Sequence, residues 1–137
     1  MFWRNKKETG ANWVIRLLAL LKAKMDQEAF NDWDGGLSDW SAGFIAGFTA
    51  YGIRGDASDN DNFSVILPEI RDNYEAVLYA LYDDPKSLSH MLTTSNPNYS
   101  LLRSWRDGYG YGWRNAESWK TDGEVTFAWL DHVNRPR

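Results

Sequence analysis

Between Tyr99 and Trp119 the sequence sets three arginines, Arg103, Arg106 and Arg114, among the aromatic rings of Tyr99, Tyr111 and Trp119. Arginine and aromatic side chains are the types most enriched at binding hot spots, and together they suit stacking on bases and contact with phosphate. A second charged set is acidic: Asp56, Asp59 and Asp61 in a polar stretch, then Asp83 and Asp84. These carboxylates are suited to a basic groove on a partner, with an attraction that weakens as salt rises. The bland alternative is that the aromatics are core and the arginines pair with the acidic middle of the chain.

Catalytic chemistry has less to draw on. His90 and His132 are the only histidines, and neither has metal-ligand spacing to another ligand. Cysteine is absent, which removes disulfides and thiolate chemistry and fits a reducing compartment. The stretch from Asp56 to Asn62 resembles a calcium loop only superficially. An EF-hand opening at Asp56 needs glycine where Asp61 stands and glutamate where Leu67 stands. Arg54, Gly55 and Asp56 spell an adhesion tripeptide, a match too short to carry a function. Gly108, Gly110 and Gly112 follow no strand, so a dinucleotide fingerprint is not met. Asp32 and Asp34, like Asp83 and Asp84, read as caps and turn residues. No catalytic residue, metal or cofactor is therefore expected.

The elements that must position the charged sets are helices. A nine-residue pattern, Trp-x-x-Gly-aromatic-x-x-Gly-aromatic, occurs twice: Trp40, Gly43, Phe44, Gly47, Phe48 and Trp105, Gly108, Tyr109, Gly112, Trp113. Glycine inside a helix costs about 0.5 to 1 kcal/mol against alanine, so paired glycines one turn apart need a compensating reason. Close approach of another backbone supplies it. The spacing predicts that the two glycine faces pack on each other as a pseudo-twofold pair, walled by Trp40 and Trp105, with other helices outside. Ala42, Ile45, Ala46 and Ala50 around the first copy predict a buried helix; the arginines around the second predict a partly exposed one.

Apolar positions at helical spacing place a first helix over 12–31, the motif helices over 39–51 and 97–119, and a third helix opening at Pro68. Ser38 or Asp39 can cap the first motif helix and Gly52 can end it in a left-handed conformation. Asp84 before Pro85, and Asn96 before Pro97, are cap-plus-proline helix starts. Thr121 and Glu124 have capping-box spacing ahead of a last helix carrying Trp129, His132 and Val133, although Val125, Phe127 and Trp129 also alternate as in a strand. The expectation is an all-α fold, a single compact domain spanning 1–137 with about five or six helices. Eight tryptophans, seven tyrosines and six phenylalanines supply much of its core.

The net charge of −4 conceals segregation: residues 1–25 carry six basic residues against one acidic, residues 26–84 two against thirteen, and residues 85–137 seven against five. Such polarity can steer a charged partner or hold a dimer in register. The apolar run from Trp13 to Leu21 contains Arg16 and falls short of the roughly 20 residues a membrane span needs.

Gly43, Phe44 and Gly47 on one helix, then Asn96, Pro97 and Tyr99, then Trp105, Gly108 and Tyr109 on a second, resemble the ribosome modulation factor family and its phage-encoded relatives. That resemblance implies a small helical protein that binds the ribosome, with Arg106 and Arg114 as RNA contacts. The residues taken by themselves lead to a non-enzymatic interaction protein. It would bind and modulate a larger protein or nucleoprotein, of the kind phages and plasmids direct against host machinery as anti-defence inhibitors or nucleic-acid mimics. The alternative is a ribosome or RNA-binding modulator acting through the second motif helix, and self-association, as a homodimer or assembly component, is a third reading. The cytoplasm of a bacterial host is the expected location, with no membrane partner.

Overall fold

A serine opens the helix on which the molecule is built. In the computed structural model, which describes residues 10–28, 36–54, 68–121, 123 and 128–134, the Ser41 backbone N–H donates to Ser38 Oγ (3.1 Å). This side-chain cap satisfies one of the N–H groups that a helix start leaves without a partner. Of the two residues that could cap, Ser38 does so, and Asp39 occupies the first turn, where its charge suits the helix dipole. The helix, α2, runs over Asp39–Arg54, and every residue from 41 to 51 is buried. Thr49 is accommodated because its hydroxyl donates to the Ile45 carbonyl (2.7 Å).

Around α2 stand α1 (Gly10–Glu28), α3 (Pro68–Leu81), α4 (Pro85–Leu92), α5 (Arg103–Thr121) and α6 (Ala128–Val133). The fold is all-α, with no strand among the described residues. Trp13, Val14, Leu17, Leu18, Leu21 and Met25 form the buried stripe of α1, and Ile70, Tyr74, Val77, Leu78 and Leu81 that of α3, both at helical spacing. α1 and α3 pack on α2 and on each other. No described helix is long and apolar enough to cross a membrane.

The most extensive pairing in the molecule joins α2 to α5, and its register follows the repeat position by position. A Cβ added at Gly43 would run into the backbone carbonyl of Trp105, one at Gly108 into that of Trp40, one at Gly47 into that of Tyr109 and one at Gly112 into that of Phe44. Each first glycine sits on the tryptophan that opens the other copy, and each second glycine on the aromatic after the other copy's first glycine. The pairing advances in step along both helices, so they run parallel as a pseudo-twofold pair. The two tryptophan side chains are not equivalent, since Trp105 is wholly buried and Trp40 half-buried.

Buried hydroxyls and indoles fasten the outer elements to α2. The Tyr74 hydroxyl lies 3.2 Å from the Ala42 carbonyl and 2.6 Å from Thr94 Oγ1, whose own bond goes to the Met91 carbonyl. Burial pushes the Tyr74 hydroxyl pKa well above its ordinary value, with Thr94 partly offsetting the rise. Trp129 Nε1 donates to Ser41 Oγ (2.9 Å), tying α6 to the first turn of α2. The Tyr82 hydroxyl donates to the Gly36 carbonyl (2.7 Å) and His90 Nε2 to the Leu37 carbonyl (3.1 Å), holding the approach to α2.

Several sequence expectations are corrected. The helix expected over 97–119 is two elements. Asn96 caps a 3-10 turn, Pro97–Leu101, by accepting from the Asn98 N–H (2.9 Å), and Leu102 is extended at φ −74°, ψ 133° before α5 begins. The first motif helix does not stop at Gly52 but continues to Arg54, with Gly52 inside it. Thr121 is the last residue of α5, its hydroxyl donating to the Glu117 carbonyl (2.8 Å), so it does not open the final helix. The last segment is helical over Ala128–Val133, and Val125 and Phe127 lie outside the described residues. α1 is described over Gly10–Glu28, and residues 29–31 of its expected span also lie outside the described residues.

Candidate nucleic-acid or protein interface

The glycine seam dictates what α5 can show to solvent. Trp105, Gly108, Tyr109, Gly112, Trp113, Asn115 and Ala116 are buried toward α2 and the core, and the opposite side of the helix points away. Arg103, Arg106, Asp107, Tyr111 and Arg114 are exposed, and at 3.6 residues per turn they share one stripe along the outer face. The corresponding helix of the first copy has no such face, because α2 is surrounded. Two chemically related motifs thus differ in what they leave free.

Tyr111 is half exposed, yet its ring is held: it lies 5.7 Å from Trp40, centroid to centroid, and the Arg114 guanidinium sits 5.3 Å from its centre. Arg114 folds back over the surface at Gly110, where an added Cβ would come within 3.4 Å of its nitrogens. Trp40 in turn stacks on His132 (3.8 Å, 7° between planes) and on Phe44 (5.5 Å). A ladder therefore runs from an exposed arginine–tyrosine pair through half-buried Trp40 into the core. A ring immobilised before binding loses little conformational freedom on contact, which favours Tyr111 as an anchor.

The remaining sequence candidates disperse. Tyr99 sits on the 3-10 turn rather than on α5, and it and Trp119 are half-buried against the core. Asp56, Asp59 and Asp61 lie outside the described residues. Asp83 and Asp84 are exposed, but Asp84 is committed to α4: its carboxylate accepts from the Ser87 N–H (2.8 Å), and that bond holds its pKa below the ordinary carboxylate value. Trp40, Gly43, Gly47, Trp105, Gly108 and Gly112 belong to the packing seam.

Two features of this surface were not read from the sequence. Leu101 and Leu102 are 65% and 40% exposed beside Arg103, giving the basic face an apolar end. In the sequence they read as helix interior, because no local signal marks the break at Leu102. Tyr79 on α3 is 62% exposed, immediately after buried Leu78. Among the described residues no group of three or more His, Asp or Glu side chains is placed to hold a metal ion.

No protein-family model, no curated protein and no solved structure matches this chain.

Proposed function

We propose that the chain is a non-enzymatic interaction protein that docks on a larger protein or nucleoprotein through the outer face of α5 and modulates it. The observation that carries this reading is the asymmetry of the two motif copies. Both helices spend their glycine faces on each other, but only α5 presents a second face, on which Arg103, Arg106 and Arg114 flank a pre-positioned Tyr111. Exposed leucines at its start add the apolar component usual in interface cores.

An anionic partner surface is the complement of this face. Between an acidic protein and RNA in a nucleoprotein, the placement of the Arg114 guanidinium over the Tyr111 ring favours the second as a subsidiary reading, because both groups stack on bases.

The test is affinity capture from a bacterial lysate with the intact chain, the Arg106→Ala/Arg114→Ala variant and the Asp83→Asn variant, read by mass spectrometry and by extracted RNA. The expected result is a defined set of partners retained by the intact chain and by Asp83→Asn and reduced about tenfold or more by the double arginine variant. Partners captured equally by all three, or lost only with Asp83→Asn, would overturn the reading. Ribosomal proteins and RNA in the arginine-dependent set would identify the nucleoprotein form.

A further inference from the structure

α3 has an outer face as well, and its chemistry is the counterpart of the one on α5. Glu69, Asp72, Ala76 and Tyr79 are exposed at spacings of three and four, opposite the buried stripe of α3, and exposed Asp83 follows just beyond the helix end. This face is acidic at both ends, small in the middle and carries one exposed tyrosine. The α5 face is predominantly basic, with Arg103 and Arg106 at one end and Arg114 at the other around a single acidic residue, Asp107, and it also carries one exposed tyrosine.

At 1.5 Å rise per residue the acidic ends are roughly 20 Å apart and the basic ends roughly 14 Å, a difference that long arginine side chains can span. Both faces are open to solvent in one molecule, so neither covers the other within the chain. Opposite charges at the ends of the two faces fix their register.

From this complementarity we infer that the occupant of the α3 face is the α5 face of a second copy of this chain. The contact is between unlike surfaces. It is charge-dependent, so it strengthens at low ionic strength and dissolves as salt screens the pairs. Self-docking occupies the surface that the proposed partner uses, so partner binding and self-association compete.

The experiment is sedimentation velocity over a concentration series at about 0.02 M and about 0.5 M salt, with two charge reversals: Glu69→Arg/Asp72→Arg on α3 and Arg103→Glu/Arg106→Glu on α5. All four positions are exposed, and melting curves confirm that each variant is folded. The intact chain is expected to associate at low salt and dissociate at high salt. Each variant alone should associate at least roughly tenfold more weakly. An equimolar mixture of the two variants should form a heterodimer, because the α5 face of one and the α3 face of the other are both intact. A monomeric intact chain at low salt, an α3 variant that associates like the intact chain, or a mixture that stays monomeric would each overturn the inference. Failure here is separable from failure of the functional reading: the α3 variant keeps an intact α5 face and should still capture the partner, whatever its own oligomeric state.

Discussion

Gly47→Leu, and equally Gly112→Leu, is expected to lose more than about 3 kcal/mol of stability and to lower the melting temperature by roughly 10 °C or more. The reason is the identity of the atoms opposite. A side chain at either position meets backbone, the Tyr109 carbonyl for Gly47 and the Phe44 carbonyl for Gly112, and backbone cannot change rotamer to make room. The helices must part along the most extensive pairing in the molecule. Even Gly47→Ala should destabilise. In a helix without this neighbour the same change would gain up to about 1 kcal/mol in propensity, so the reversed sign reports the contact.

Gly110 is the internal control. It lies on the same helix, but an added Cβ there faces only the flexible end of Arg114, at 3.4 Å. Gly110→Ala is therefore expected to be neutral or stabilising by up to about 1 kcal/mol. Thermal or denaturant unfolding of the four variants checks the prediction. A Gly47→Ala protein that melts like Gly110→Ala would contradict the packing described for α2 and α5.

Trp129→Ala carries the second large effect, a loss of about 3 to 5 kcal/mol. Trp129 is wholly buried, its ring lies 5.6 Å from Phe44, and its Nε1 donates to Ser41 Oγ at the start of α2. Six-residue α6 gains nothing from its own hydrogen bonding, since helices this short are not stable alone. It is held by packing, and the alanine variant should release it. Trp129→Phe separates the contributions, keeping most of the ring volume and losing the N–H. Its cost should be about 1 to 2 kcal/mol, because Ser41 Oγ still accepts from the Ser38 hydroxyl (3.2 Å). Equal losses for the two variants in denaturant unfolding would show that the hydrogen bond, and not the ring, holds α6.

What could be read in the sequence divides by the range of the interaction that determines it. The Asp84–Pro85 start of α4 is a local matter of one carboxylate and one N–H, and it is found as expected. Asn96–Pro97 carries the same local signal and also starts a turn, yet only a 3-10 turn follows, because a cap specifies a beginning and not a length. Gly52 reads as a terminator from its residue type alone. The helix nevertheless runs through it to Arg54, three residues beyond the end of the buried run at Tyr51. The glycine seam was legible despite being long-range because the sequence states it twice at identical spacing.

The candidate site was legible in part for the same reason. Once Gly108 and Gly112 are assigned to the inner face, helical geometry alone sends Arg103, Arg106, Tyr111 and Arg114 outward. Tyr99 and Trp119 resemble them in composition alone, and composition does not distinguish a ring against the core from a ring in solvent. The acidic stripe of α3 is faint in the sequence for a related cause: its members are scattered singly through a helix whose buried positions give the stronger signal. Its relation to α5 becomes visible only when both outer faces are mapped.

The central claim is a division of labour in which the inner faces of the two copies hold the fold and the outer face of α5 is left for a partner. The melting temperature of the Arg103→Ala/Arg106→Ala protein tests it most directly. Exposed substitutions that take nothing from the fold change stability by no more than about 0.5 kcal/mol each, so the predicted result is a melting temperature within roughly 4 °C of the intact chain. A fall of the size expected for Gly47→Leu would contradict the account, because it would make this face part of the scaffold.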